Sequence, residues 1–140
     1  MRPVAWEHFQ HDADIGVRGF GTTLSQAFEQ AAVALTAVIT APQRVRPEIE
    51  VGIELEAPDA EYLLYQWLNE LVFQMATRRL LFSRFHVRIE GNRLQAQVWG
   101  EVIDRKRHRP AVEVKGATLT ALAVRDDPDQ GWVAQCVVDV

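Results

Sequence analysis

Leu63-Leu64-Tyr65-Gln66-Trp67-Leu68-Asn69-Glu70-Leu71-Val72-Phe73-Gln74-Met75 decides the class of fold. Leu63, Leu64, Trp67, Leu68, Leu71, Val72 and Met75 recur at helical spacing and form one wide apolar stripe. Asn69 and Glu70 fall on the more polar side. Asp59, just after Pro58, is placed to cap this helix. A stripe that wide has to be buried against a second layer. The residues that follow change period to supply one. Phe85, Val87 and Ile89 alternate up to Gly91-Asn92, a tight-hairpin signal, and Leu94, Ala96 and Val98 lead away from it.

The same switching of period runs through the rest of the chain. Val51, Ile53 and Leu55 alternate with polar neighbours, a half-exposed strand. Thr23 to Gln26 reads as a Thr-x-x-Gln capping box that opens a helix running to about Ile39, and Pro42 to Pro47 breaks it. Trp6 to Phe20 reads as one extended segment. On it Phe9, Ala13, Ile15 and Val17 share one side, and His8, Gln10, Asp12 and Asp14 the other. Gly19-Phe20-Gly21 reads as the turn that ends it. Val112 to Val124 reads as a long strand, Asp126 to Gly131 as a turn, and Trp132, Ala134, Cys136 and Val138 as a last strand. The expected order is β-α-β-α-β-β-β-β. That order gives an α+β fold, a single two-layer domain over residues 1–140. Two helices pack on one face of a mixed or largely antiparallel sheet.

Composition narrows the function classes. At 140 residues and 48% hydrophobic content the chain has the mass for one real core. No apolar run spans a bilayer, and Met1 to His8 lacks the apolar stretch of a signal peptide, so no membrane partner is expected. The single cysteine, Cys136, excludes an internal disulfide and a cysteine-rich zinc site. It lies in an apolar run and reads as a buried small hydrophobe. These features suit a cytoplasmic protein. The net charge of −4 lacks the basic excess of a phosphate-backbone binder. Arg105-Lys106-Arg107-His108-Arg109 is the one basic cluster, either a solvated loop or a contact for an acidic partner, RNA or nucleotide.

The search for chemistry favours oxygen ligands. His11-Asp12-Ala13-Asp14-Ile15-Gly16 and the terminal Asp139-Val140 bring His and carboxylates to the two ends of the chain. If those ends meet, two or three carboxylates converge on a hard-cation site. No Cys/His spacing supports zinc. His11 and His8 are alternatively hydrogen-bonded structural residues, and Asp14 and Asp139 solvent-facing ones. Glu113 and Lys115 lie two apart in the expected strand, as an ion pair or as a charged binding edge. Ser25 and Ser83 sit in no nucleophile elbow, and there is no Gly-rich phosphate loop. The expectation is therefore a protein that is not an enzyme on its own.

Taken together, four stretches resemble the archease family. They are His11 to Gly16, Leu63 to Leu71, Gly100-Glu101 through Asp104 and His108 to Glu113-Val114-Lys115, and Asp139-Val140. The resemblance implies a non-catalytic protein cofactor of the GTP-dependent tRNA-splicing RNA ligase, which promotes guanylylation of the ligase's active-site histidine and multiple turnover. RNA is engaged only through the ligase. The resemblance also implies a divalent ion, calcium first, with magnesium or manganese as alternatives. Its ligands match Asp14, Asp139 and a backbone or terminal oxygen of Val140. His11, Asp12, Glu113 and Lys115 are the accessory positions. Asp12 departs from the small residue usual in the first motif, and Gly116 follows the Glu-x-Lys pair. The rival expectations are a chaperone-like modulator of an RNA-modifying enzyme such as a tRNA methyltransferase, and a small metal-dependent hydrolase using His11.

Overall fold

The computed structural model describes residues 4–140, so the N-terminal reading of Met1 to Pro3 lies outside the described residues. The fold is α+β, with its strands in two antiparallel sheets that share one apolar core. Strands β1 (Ala5–His11) and β2 (Asp14–Gly21) form a hairpin, followed by helix α1 (Leu24–Ile39). A 3₁₀ turn, Pro42–Arg44, leads to β3 (Ile49–Glu56) and helix α2 (Ala60–Arg78). β4 (Leu80–Glu90), β5 (Arg93–Val102), a one-turn helix α3 (Arg105–His108), β6 (Gly116–Ala117), β7 (Ala123–Asp127) and β8 (Gly131–Asp139) complete the chain. The larger sheet runs β1-β2-β8-β6 with β7 also on β8. The smaller runs β3-β5-β4.

Both expected caps are present. The Gln26 N–H donates to Thr23 Oγ1 at 3.1 Å, and the Thr23 N–H donates back to Gln26 Oε1 at 3.3 Å. Asp59 Oδ1 accepts from the Tyr62 N–H at 2.8 Å, which fixes the start of α2. In the apolar stripe of that helix Leu63, Leu64, Trp67, Leu68 and Leu71 are buried, Trp67 fully, while Val72 and Met75 are half-buried. The Trp67 Nε1–H donates to Phe28 O in α1 at 3.0 Å, satisfying the one polar atom of the largest core side chain.

Three local expectations change. Trp6 to Phe20 is not one extended segment but a hairpin, with His11 across from Asp14 and Asp12-Ala13 as a two-residue turn. Asp12 takes the positive φ, 52°, that such a tight turn needs. A two-residue turn shifts parity. Phe9 therefore shares a face with Gly16 and Asp14, while Ile15 and Val17 share the helix-facing side with Gln10 and His8. Gly19-Phe20-Gly21 is strand, not turn. Gly19 is glycine because α1 crosses there, and a Cβ would stand 2.2 Å from Ala27 O. Val112 to Val124 is not a continuous strand. Its amides go piecemeal to Asp139 O, from Lys115, and Val137 O, from Thr118, which leaves only the two residues of β6 before the chain turns at Ala121, φ 54°.

Candidate functional site

The register of the larger sheet brings the two charged ends of the chain together. Ile15 pairs with Val138, so Asp14, one position back, stands opposite Asp139, one position on. Asp14 also pairs with His11, and Asp139 with Gly116. His11, Asp14 and Asp139 thus form one row across three strands, their side chains on the face opposite to core-facing Ile15 and Val138, and Gly116 pairs with Asp139 at the end of that row. Two carboxylates directly opposite on neighbouring strands repel each other. A hard divalent cation held by both, with an oxygen of Val140, would offset that repulsion, and the donors are all of the type such ions take. The fit rests on those two side chains and Val140. Among the described residues no group of three or more His, Cys, Asp and Glu stands ready to hold a metal.

The neighbours of the row are already neutralised. Arg18, on the same face, donates to Glu7 Oε2 at 2.6 Å and Gln135 Oε1 at 2.8 Å, and its guanidinium lies 4.4 Å above the Phe9 ring. Asp12 is almost wholly exposed in the turn, 3.9 Å from His11 Nδ1, outside the Asp14–Asp139 pair. His8 is structural: its Nε2–H donates to Ala34 O in α1 at 2.8 Å. Glu113 and Lys115 lie in irregular backbone before β6 rather than within a strand. The Lys115 N–H donates to Asp139 O at 2.9 Å, so the lysine backbone abuts the acidic row. Asn69 clamps the next turn of chain, accepting from the Ala117 N–H at 2.9 Å and donating to Ala117 O at 3.3 Å. A Cβ at Gly116 would meet Asn69 Oδ1 at 3.1 Å, so the glycine clears the way for that clamp.

The basic cluster divides. Arg105, Lys106 and Arg109 are exposed, but His108 is fully buried and Arg107 is ion-paired with Glu101, itself buried at the end of β5. The Asp104 N–H donates to His108 Nδ1 at 2.8 Å, which leaves the ring proton on Nε2, 2.9 Å from Glu101 Oε2. The Arg46 N–H donates to the same oxygen at 2.7 Å. Burial alone would raise the Glu101 pKa. Hydrogen bonds from Arg107, the Arg46 backbone and His108 outweigh it and hold the carboxyl down to about 2. Thr40 Oγ1–H to His108 O at 2.5 Å and the Ala111 N–H to Ile39 O at 2.8 Å tie the following segment to the end of α1. Sequence reasoning missed this network. Its one signal is an acid, Glu101, followed by a His within a basic run, and that gives no sign of burial.

The family model that matches is the archease protein family (MTH1598/TM1083), over residues 6–140. The chain belongs to the archease family. It is 40% identical to the protein archease of Pyrococcus furiosus, and 42% identical to that of Thermococcus gammatolerans. Both alignments run over 139 residues, covering 96% of this chain and 98% of each relative. This archease-family fold is similar to the solution structure of Methanobacterium thermoautotrophicum protein 1598, with a TM-score of 0.84 and 34% identity. That match covers 97% of this chain and 99% of the other. No helix of this archease-family chain, among the described residues, is long and apolar enough to cross a membrane.

Proposed function

We propose that this archease-family chain is a protein cofactor of the GTP-dependent tRNA-splicing RNA ligase. It promotes guanylylation of the ligase's active-site histidine and multiple turnover through a divalent-metal-binding acidic site. Membership of the family supports the coarser part, an accessory role in tRNA processing. The observation that carries the finer part is the pairing register that sets Asp14 opposite Asp139, beside Val140 and the Lys115 backbone. When bound, a divalent ion, calcium first, supplies a compact positive charge at this edge. The chain's own residues hold that charge at an exposed sheet end: Asp14 and Asp139 by their carboxylates, with His11 in the same row. Lys115 follows Glu113 on the adjoining segment as a cation for a phosphate or an acidic ligase residue.

The test is a multiple-turnover joining assay. Ligase, GTP and manganese act on RNA with a 2′,3′-cyclic phosphate and a 5′-hydroxyl end, with this protein, with Asp14→Ala or with Asp139→Ala. Calcium titration of each protein runs in parallel. Both variants are expected to fold, to bind calcium at least about tenfold more weakly with one carboxylate gone, and to lose acceleration. A folded Asp14→Ala protein that still accelerates guanylylation of the ligase would sink the proposal. It would favour the reading as a chaperone-like modulator working through exposed apolar side chains such as Phe73 and Leu119.

A further inference from the structure

Between the C-terminal half of α2 and the segment after α3 lies a half-open cleft of about 490 Å³. Val72, Met75 and Ala76 line it from the helix, and Ile103, Val112 and Val114 from the facing chain. Arg79 and Arg105 also line it, brought to one side because the Ile103 N–H donates to Arg79 O at 2.9 Å. Among the described residues neither guanidinium has a hydrogen-bond or ion-pair partner. Arg79 moreover ends α2 with φ 54°, the left-handed conformation that glycine adopts without strain. The same cap conformation closes α3 at Arg109, so what sets Arg79 apart is its unpartnered guanidinium at the edge of a cleft.

The chemistry of the walls selects the occupant. No aromatic ring lines the cleft, so there is no platform on which a nucleobase stacks. Arginine's planar fork instead matches a carboxylate with two parallel hydrogen bonds. The aliphatic lining takes an aliphatic side chain, and the flexible Met75 adapts to its shape. We infer that this cleft docks a short segment of a partner protein in which an aliphatic side chain is flanked by carboxylates. The aliphatic group enters between α2 and Val112, and the carboxylates meet Arg79 and Arg105. The docking stands apart from the acidic row and holds whether or not the partner is an RNA ligase.

Fluorescence anisotropy tests it with four labelled nonamers: a peptide of leucines set between aspartates, one of leucines set between lysines, an all-aspartate peptide, and single-stranded RNA. The leucine-aspartate probe is expected to bind most tightly. Arg79→Glu with Arg105→Glu should weaken it at least about tenfold by replacing two charge-assisted pairs with repulsion. A leucine-lysine probe should then prefer the double variant. Both arginines are exposed, and circular dichroism checks that the variant folds. In the unaltered protein, amide NMR shifts on titration should centre on Val72, Met75 and Val112. Equal affinity of the leucine-aspartate probe for both proteins, no binding to the unaltered protein, or shifts elsewhere overturns the inference. So does tighter binding of the RNA, which would make the cleft a nucleic-acid site.

Discussion

Replacing Glu101 with Gln perturbs one atom of a buried network and leaves its shape intact. Glu101 Oε2 receives two donors, His108 Nε2–H and the Arg46 backbone N–H, and Oε1 receives Arg107. Glutamine has one carbonyl oxygen. If that oxygen serves His108 and Arg46, its amide NH₂ faces the Arg107 guanidinium. If it turns the other way, the NH₂ faces a histidine with no access to water. Either orientation opposes donor to donor, and the expected loss of stability is about 2–4 kcal/mol, that of stranding a buried polar group and weakening charge-assisted bonds. In urea, at a mid-range m-value of about 2 kcal/mol/M, this moves the midpoint down by about 1–2 M with unchanged slope. A second axis of the same experiment is pH. The folded Glu101 pKa, about 2, lies below its ordinary value of 4.5, so the carboxylate's stabilisation is fully present above pH 4.5. It is lost as pH falls toward 2, and the gap between the unaltered protein and Glu101→Gln should close over that interval. A gap below about 0.5 kcal/mol at pH 7, within ordinary surface-substitution scatter, would refute the reasoning. So would a gap that widens on acidification.

Gly19→Ala should cost about 1–3 kcal/mol as an overpacking change, because the new Cβ meets α1 backbone at 2.2 Å and cannot turn away; thermal unfolding reads it. Thr23→Ala removes one half of the capping box at α1 and should cost about 1 kcal/mol in urea, with the Gln26 N–H left to water. The Cys136 thiol is buried and pushed up to about 12 by desolvation, so iodoacetamide at pH 8 should label the denatured protein fast and the folded protein only at its unfolding rate. Rapid labelling of the native state would show that β8 opens locally.

Legibility in the sequence followed the strength of the local signal. The α2 stripe, the Thr23–Gln26 box and the Gly91-Asn92 hairpin carry their own physics in neighbouring residues, and each formed as read. The first hairpin was hidden because Asp12-Ala13 lacks the glycine that marks Gly91, and Asp12 carries the positive φ instead. Gly19 looked like punctuation because a close helix crossing leaves the same mark as a turn. The division into two sheets was not legible at all, since pairing partners are long-range. The acidic pair was legible as two ends with carboxylates, but only the register of β2 on β8 places them opposite each other. The Glu101 network was invisible because burial of a charged run depends on what α1 and the segment around Arg46 lay over it.

The position of β8 has a consequence for how the molecule comes into being. It is an interior strand, flanked by β2 on one side and by β6 and β7 on the other, and it is the last element in the chain. Arg18 and Gln135, bonded across it, are 117 residues apart in sequence. During synthesis the β1–β2 hairpin and α1 must wait, with an open sheet edge, until the distant residues of β8 have emerged. Closure over so long a loop is slow. It is also the event that sets Asp139 against Asp14, so the acidic row reports on completed folding: a chain stalled before β8 has neither the larger sheet nor the Asp14–Asp139 pair.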